Sequence, residues 1–482
     1  LPRPVRPWAR AAMGGGRGRG AAAEAGASAL QTGLNLLNEL EGAGLLGMPY
    51  AVGLVGGAAG GALCILGVGA AAGFTGVLLS RCMYAPRESL GQQDGAGDLS
   101  PGRVRDSYAA VGGACFGARG RAFVLSAQML NLNLVASSYL VLMGSCLSFV
   151  LPPPQQLLLG SEWGGVDSTR AWTAVAALAC LPTVHLGGYK RLTALSALGI
   201  LCLLSIVALG AYFGAQQVAK HDAPPLPPPT LQRVPASVSM FLFAFSCHGI
   251  FPDLEKSMAR PRLFPRVVGT VFVVNALLKM GFAFLLCRAF GGEVAPVVAA
   301  NFPSAVARRA VSLLVCANAL FSFPFPLVPV FRTLGCPAEP VGEAVTATVE
   351  GGEAAPLMGN QKRGPGRRSS GGRAVAARCL VVLACGAVAV LVGNFAVVMG
   401  LMGSVTLSLL TFIFPATFYM PLPQPQGLTR LACLAVVAAG VVGVSRVPLA
   451  RSTWPYKAEQ SVYYDVRTLS GHTCTLHVLI TE

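Results

Sequence analysis

The sequence predicts an all-α membrane protein of about eleven transmembrane helices, and three observations carry that expectation. Of 482 residues, 54% are hydrophobic and only 12% charged, with a mean hydropathy of +0.61, far from the balance of soluble domains. Apolar stretches close to the roughly 20 residues that cross a bilayer recur from Ser28 to Gly443. Two of these stretches are interrupted by Gly and Pro at corresponding places in the chain. The first contains Glu41-Gly-Ala-Gly-Leu-Leu-Gly-Met-Pro49 and the sixth Phe245-Ser-Cys-His-Gly-Ile-Phe-Pro252.

In chain order the expected spans are Ser28 to Tyr50, Ala51 to Leu79, Ala122 to Val150, Trp172 to Leu186 and Leu192 to Gly214. After them come Val234 to Met258, Val267 to Phe290, Ala310 to Phe331, Ala376 to Val392, Phe395 to Tyr419 and Leu428 to Gly443. The fourth is short and holds Pro182 and His185; the ninth and tenth divide at Gly393-Asn394. The Pro-rich run from Pro224 to Pro229 reads as a stiff extended linker with five spans before it and six after. The expected organisation is therefore a cytoplasmic, disordered tail over 1–27 and a transmembrane domain over 28–443. That domain divides into one repeat at 28–214, a second at 234–420 and an extra helix at 428–443, and a lumenal or extracellular tail over 444–482 follows.

Charge gives the orientation. The formal charge is +16, but the cations sit in loops rather than on a basic helix interleaved with aromatics, which argues against a nucleic-acid partner. Placing the N-terminus in the cytoplasm puts about 25 Lys and Arg on that side against about 10 on the other. The loops Ser80 to Arg121 and Arg332 to Arg373 contribute most. The opening Pro/Arg/Gly-rich tail to Gly20 lacks the apolar core of a signal peptide. No Asn-x-Ser/Thr sequon occurs in the sequence, and the 14 cysteines are scattered without a CxxC pair, so neither a disulfide framework nor a metal site is expected. No cofactor is expected either.

Unwound backbone is tolerated at bilayer depth only where it lines a cavity or packs within protein. Paired interruptions therefore point to a binding site near the midplane of a transporter built from inverted repeats. Free amides around Ala43, Gly44, Leu45 and Leu46 are expected to hold a substrate carboxylate, with Gly42 easing the unwinding. Free carbonyls from Ser246 to Gly249 are expected to hold its ammonium, and Asn38, Phe245, His248, Asn318 and Ser322 complete the candidate substrate site. Asn35, Asn131, Asn133 and Tyr139 either line the same polar cavity or join helices. The competing reading of the glycines is close helix packing.

Ionisable groups inside spans are costly and need a reason. Glu41, His248, Glu255 and Lys279 are the candidates for proton coupling. Each has a structural alternative: a packed carboxyl for Glu41, a hydrogen-bond partner for freed backbone at His248, and a surface ion pair with Lys256 or Arg260 for Glu255. Lys279 needs a partner from another helix, with Glu41 or Glu255 as candidates. Glu39, two positions from Glu41, lies on another helix face.

These residues together resemble the amino acid/auxin permease family, in its vesicular inhibitory amino acid and vacuolar amino acid transporter branch. The resemblance runs from about Ser28 to Gly443. It is carried by Asn38 with the run Gly42 to Ala51, Leu181-Pro-Thr with Leu192, Leu195-Ser196 and Gly199, and Phe245 to Met258. Asn301-Phe-Pro, Asn318 to Pro324 and Met399 to Ser404 carry it further. It implies a leucine-transporter-like fold, with a five-plus-five inverted repeat and an eleventh helix, and proton-linked movement of amino acids across vesicle, vacuole, lysosome or plasma membranes. The Ser-x-His-x-x-Phe-Pro arrangement of the sixth span is closer to the vacuolar pattern.

The expected function is secondary active transport of small neutral amino acids by alternating access, coupled to protons, with the lipid bilayer as solvent. A second possibility is a non-transporting amino acid sensor that signals through the loop Arg332 to Arg373, where Ser369 and Ser370 follow two arginines. An enzyme is disfavoured because the five dispersed His residues form no catalytic arrangement. A channel is disfavoured because no filter repeat or ring of charges is evident.

Overall fold

The computed structural model describes residues 27–85, 105, 107–152, 167–186, 189–220, 223–226, 228–229, 233–302, 304–336, 370–422 and 427–445. The tails expected over 1–27 and 444–482 lie almost wholly outside the described residues, as does most of the loop Arg332 to Arg373, including Ser369. Eleven helical passes run through the described residues, and these contain no β-strand. A single backbone bridge joins Ala27 to Met258.

The first pass is split into Ala29–Glu41 and Gly44–Leu54, and the second is Ala58–Tyr84. The first therefore runs past the expected boundary at Tyr50, because Pro49 is accommodated inside the helix. The turn falls instead where Gly56 and Gly57 take φ of 83° and 92°, a region other residues rarely enter. The third pass, Tyr108–Ser148, starts well before the expected Ala122 and bends at Phe116 and Gly117. Its first turns pack under the tenth pass, where buried Tyr108 donates to the Leu410 carbonyl and meets Phe414 and Phe418 edge-on.

The fourth pass is the short helix Ser168–Cys180 followed by one 3₁₀ turn at Thr183–His185. Pro182 stands at the junction, and a residue without an N–H cannot continue the ladder. Then follow Tyr189–Lys220, the split sixth pass Val234–Ala244 and Phe251–Lys256, and Phe264–Phe290. Ala305–Ser322 with Pro324–Thr333, Ser370–Val392, the tenth pass Phe395–Tyr419 and Leu428–Ser445 complete the bundle. Asn394 caps the tenth helix by accepting from the Val397 amide at 3.2 Å, which separates it from the ninth.

Burial sorts the passes. In the most apolar part of the third, sixth and tenth, 72% of residues are buried, against 28% in the fifth and ninth. The outer helices turn residues such as Leu63, Leu201 and Leu391 outward, at 76%, 60% and 78% exposure. Apolar rims of this kind suit contact with lipid rather than water.

Candidate functional site

The first interruption is brief. The helix Ala29–Glu41 closes when the Gly42 amide donates to the Asn38 carbonyl at 2.9 Å. Gly42 then leaves helical geometry at φ −38°, ψ −98°, and the helix resumes at Gly44. The first-turn amides of the new segment face back toward the interruption, because the opening amides of any helix lack intrahelical acceptors. Leu45 and Leu46 are thus already helical. A Cβ on Gly44 would stand 3.0 Å from the Ala244 Cα, so only glycine lets the two interrupted helices come this close.

The sixth pass opens more widely. Its first helix ends at Ala244, Ser246 and Cys247 are non-helical, His248–Ile250 form a 3₁₀ turn, and the helix restarts at Phe251. Neighbouring passes hold the opened backbone. Gln128 of the third pass donates to the Gly249 carbonyl at 2.6 Å, and Thr411 of the tenth donates to Ser246 Oγ at 2.7 Å. Thr411 belongs to a π-helical stretch, Gly403–Ile413, that also sends Thr406 to Asn131 Oδ1 at 2.9 Å. Such wide turns re-aim side chains relative to an α-helix and recur at functional sites. A Cβ on Gly403 would lie 1.9 Å from the Ser239 carbonyl oxygen, so this stretch presses directly on the sixth pass.

A cavity lies where the interruptions meet. Glu39, Ala43 and Gly44 line it from the first pass, and Ser246, Cys247 and Gly249 from the sixth. Asn131, Ser138 and Tyr139 of the third pass, Pro326 of the eighth and Leu407 of the tenth enclose it. The volume open to the centre of a water molecule is about 40 Å³, room for about three waters at roughly 10–15 Å³ each.

Of the residues expected to bind substrate, Ala43, Gly44, Ser246 and Gly249 line this cavity. Asn38, Asn318 and Ser322 form a knot beside it. Asn38 donates to Ser322 Oγ at 2.9 Å and accepts from Asn318, which also donates to the Gly199 carbonyl at 2.8 Å. The first, fifth and eighth passes are joined there. Gly42 faces the Tyr139 hydroxyl, and Phe245 turns toward the second pass and under Lys279. His248 also faces the second pass, with Nε2 at 3.2 Å from Thr75 Oγ1 and 3.1 Å from the Ala72 carbonyl, and it stacks on Phe251.

The four residues expected to couple protons are placed apart from the cavity lining. Glu41 and Lys279 are fully buried and paired at 3.0 Å. Lys279 also donates to the Leu40 carbonyl at 2.9 Å and to Asn275 Oδ1. Glu255 is fully buried instead of standing at the surface, and accepts from Ser80 at 3.3 Å. Glu39, by contrast, reaches the cavity, and its shielded Oε1 has no hydrogen-bond partner among the described residues. The signal for Glu39 was its place one turn before the interruption. Helical phase alone does not say which face of an all-buried segment meets the cavity. Ser138 and Leu407 carried no distinguishing pattern, whereas Cys247 lay inside the interruption read from the sequence. Among the described residues no group of three His, Cys, Asp or Glu comes together as a metal site.

The chain is 28% identical over 411 residues to a vesicular inhibitory amino acid transporter of Xenopus tropicalis, covering 82% of this chain and 70% of that one. The human protein of the same name is 27% identical, covering 85% and 72%. Amino acid transporter AVT1E of Arabidopsis thaliana is 26% identical, covering 86% and 70%. Among solved structures, MhsT in complex with L-phenylalanine aligns with a TM-score of 0.48 and 16% identity, over 88% of this chain and 98% of that one. The family described as transmembrane amino acid transporter protein matches residues 25–447, and the chain belongs to that family.

Proposed function

We propose that this protein moves small neutral amino acids through the bilayer by alternating access, driven by protons. The observation that carries the reading is the cavity between the two interrupted passes, lined by Ala43 and Gly44 of the first and by Ser246 and Gly249 of the sixth. The amides at the head of Gly44–Leu54 favour a carboxylate, and the opened carbonyls of the sixth pass favour an ammonium. A zwitterion is complementary to both. The small volume favours small side chains. Membership of the family supports amino acids as cargo, and relatives named as vesicular inhibitory amino acid transporters support that class and a vesicle-type membrane. The proposal includes a cytoplasmic N-terminus, from the loop charges, and two five-pass halves that each open with an interrupted helix.

Reconstitution into liposomes tests it. Counterflow of a labelled small amino acid is expected, accelerated by an imposed pH gradient. Saturable binding with no counterflow and no gradient-driven uptake would instead identify a sensor.

A further inference from the structure

We infer that Glu39, rather than Glu41, is the carboxyl that carries the coupling proton, and that it does so by sharing the cavity with the carboxylate of the substrate. The inference rests on the transport reading above and names the residue that links substrate to proton.

Glu41 is unsuited to the task. Its Oε2 accepts from Lys279 at 3.0 Å with both side chains fully buried, and Lys279 is further held by Leu40 and Asn275. Neutralising Glu41 would strand the ammonium without a counter-charge in a low-dielectric interior. The pair is already neutral and gains nothing by taking up a proton.

Among the described residues Glu39 has no such partner. Two positions along a helix place it roughly 200° around the axis from Glu41, facing the cavity, with Oε1 shielded and unpartnered. The titratable groups that face it are Tyr139 of the third pass and Cys247 of the sixth. The seventh pass offers Lys279, already paired. The fifth and eighth offer Gly199, Asn318, Ser322 and Pro326, and the tenth offers Leu407. Among the described residues that line the cavity none is a cation able to balance a Glu39 carboxylate.

The head of the helix starting at Gly44 opens into the same cavity. A substrate carboxylate seated there shares a space of about 40 Å³ with Glu39. Two carboxylates so close cannot both stay charged. Glu39 must therefore hold a proton, taken from water, whenever substrate is seated. The resulting acid, together with a zwitterion, is electrically neutral and crosses without a bare charge. On the far side the O–H bond breaks, the proton returns to water, and the restored carboxylate expels the substrate. One proton accompanies one neutral amino acid in the same direction.

The test is substrate affinity and counterflow as a function of pH, with purified protein in detergent and in liposomes, for wild type, Glu39→Gln and Glu39→Asp. Wild-type affinity is expected to strengthen as pH falls, by up to roughly tenfold per pH unit where one proton enters with substrate. Glu39→Gln, an uncharged mimic of the acid, is expected to bind with a flat pH profile and to lose gradient-driven accumulation. Glu39→Asp should restore a pH-dependent profile at a displaced midpoint. The assignment is overturned if Glu39→Gln keeps the wild-type pH slope, or if it loses binding at every pH while monodisperse, since Glu39 would then grip the ammonium itself. If wild type shows no counterflow at all, the transport reading fails and this inference fails with it. If wild type transports and Glu39→Gln still accumulates substrate, only the assignment of Glu39 fails.

Discussion

At the scale of single residues, the pair Lys279–Glu41 and the glycine at position 44 make opposite demands. The ion pair is fully buried, so removing one partner leaves a charge without compensation, at a cost of about 3–5 kcal/mol. Glu41→Gln and Lys279→Met should each lower the thermal midpoint of the purified protein sharply. The double variant should recover most of the loss, because two uncharged side chains leave nothing to solvate. A double variant as unstable as the worse single one would contradict this account. Gly44 is a matter of space: its α-hydrogen faces the Ala244 Cα, and a methyl group there forces the two interrupted passes apart by some tenths of an ångström. Gly44→Ala is expected to cut counterflow about tenfold, the scale of roughly 1.4 kcal/mol, while leaving the helical content unchanged by circular dichroism. The composition made Gly42 and Gly44 legible as the first interruption. It did not separate Glu39 from Glu41, since both are carboxyls in an apolar helix and only the placement of the third, sixth and seventh passes decides which one meets a cavity.

Whole elements were legible where apolar length and a stop signal coincide. The Asn394 cap between the ninth and tenth passes and the Gly/Pro interruption of the sixth are both written in residue type. The first-to-second boundary, expected after Tyr50, lies further on, because the helix runs through Pro49 to Leu54 and Gly56 and Gly57 make the turn. The start of the third pass was hidden because Tyr108 and its neighbours are apolar too weakly to stand out, yet they bury against Phe414 and Phe418. Least legible was the π-helical stretch Gly403–Ile413, since the change from α to π geometry leaves the apolar composition of a buried helix unaltered. Its role is a testable one. Thr411 holds the Ser246 side chain and Thr406 that of Asn131, so the tenth pass positions two residues that line the cavity. Replacing Thr411 by Val removes one hydrogen bond, at about 1 kcal/mol, and is expected to weaken substrate affinity about fivefold by equilibrium binding. Thr417→Val serves as the control, because among the described residues Thr417 bonds only within its own helix, to Ile413 and Phe414, and should leave affinity unchanged.

At the scale of the molecule, one face is tied together across three passes. Ala27, just before the first helix, donates to the Ser257 carbonyl at 2.8 Å and accepts from the Ala259 amide at 2.9 Å. Nearby, Asp253 of the sixth pass pairs with Arg332 at the end of the eighth. The first and sixth passes therefore run antiparallel, with the start of one and the end of the other on the same face, and the cavity lies between their midpoints. The opposite face is crossed by the linker, whose Pro224 carbonyl accepts from the Gly292 amide at 3.1 Å. The proposed alternating access requires each face to part in turn, so under that proposal the ties on either face are weak enough to break within a cycle. Asp253 and Arg332 are partly exposed, at 26% and 38%, and an exposed pair contributes only about 0.2–1 kcal/mol. Asp253→Asn is accordingly expected to raise the exchange of backbone amides at the start of the first helix by no more than about fivefold, as followed by hydrogen–deuterium exchange. The same variant should change the rate of counterflow by a comparable factor without altering equilibrium affinity for substrate. A change in affinity with no change in exchange would place Asp253 in the binding site instead of at the closure of this face, and the two readouts together separate a tie between helices from a contact with cargo.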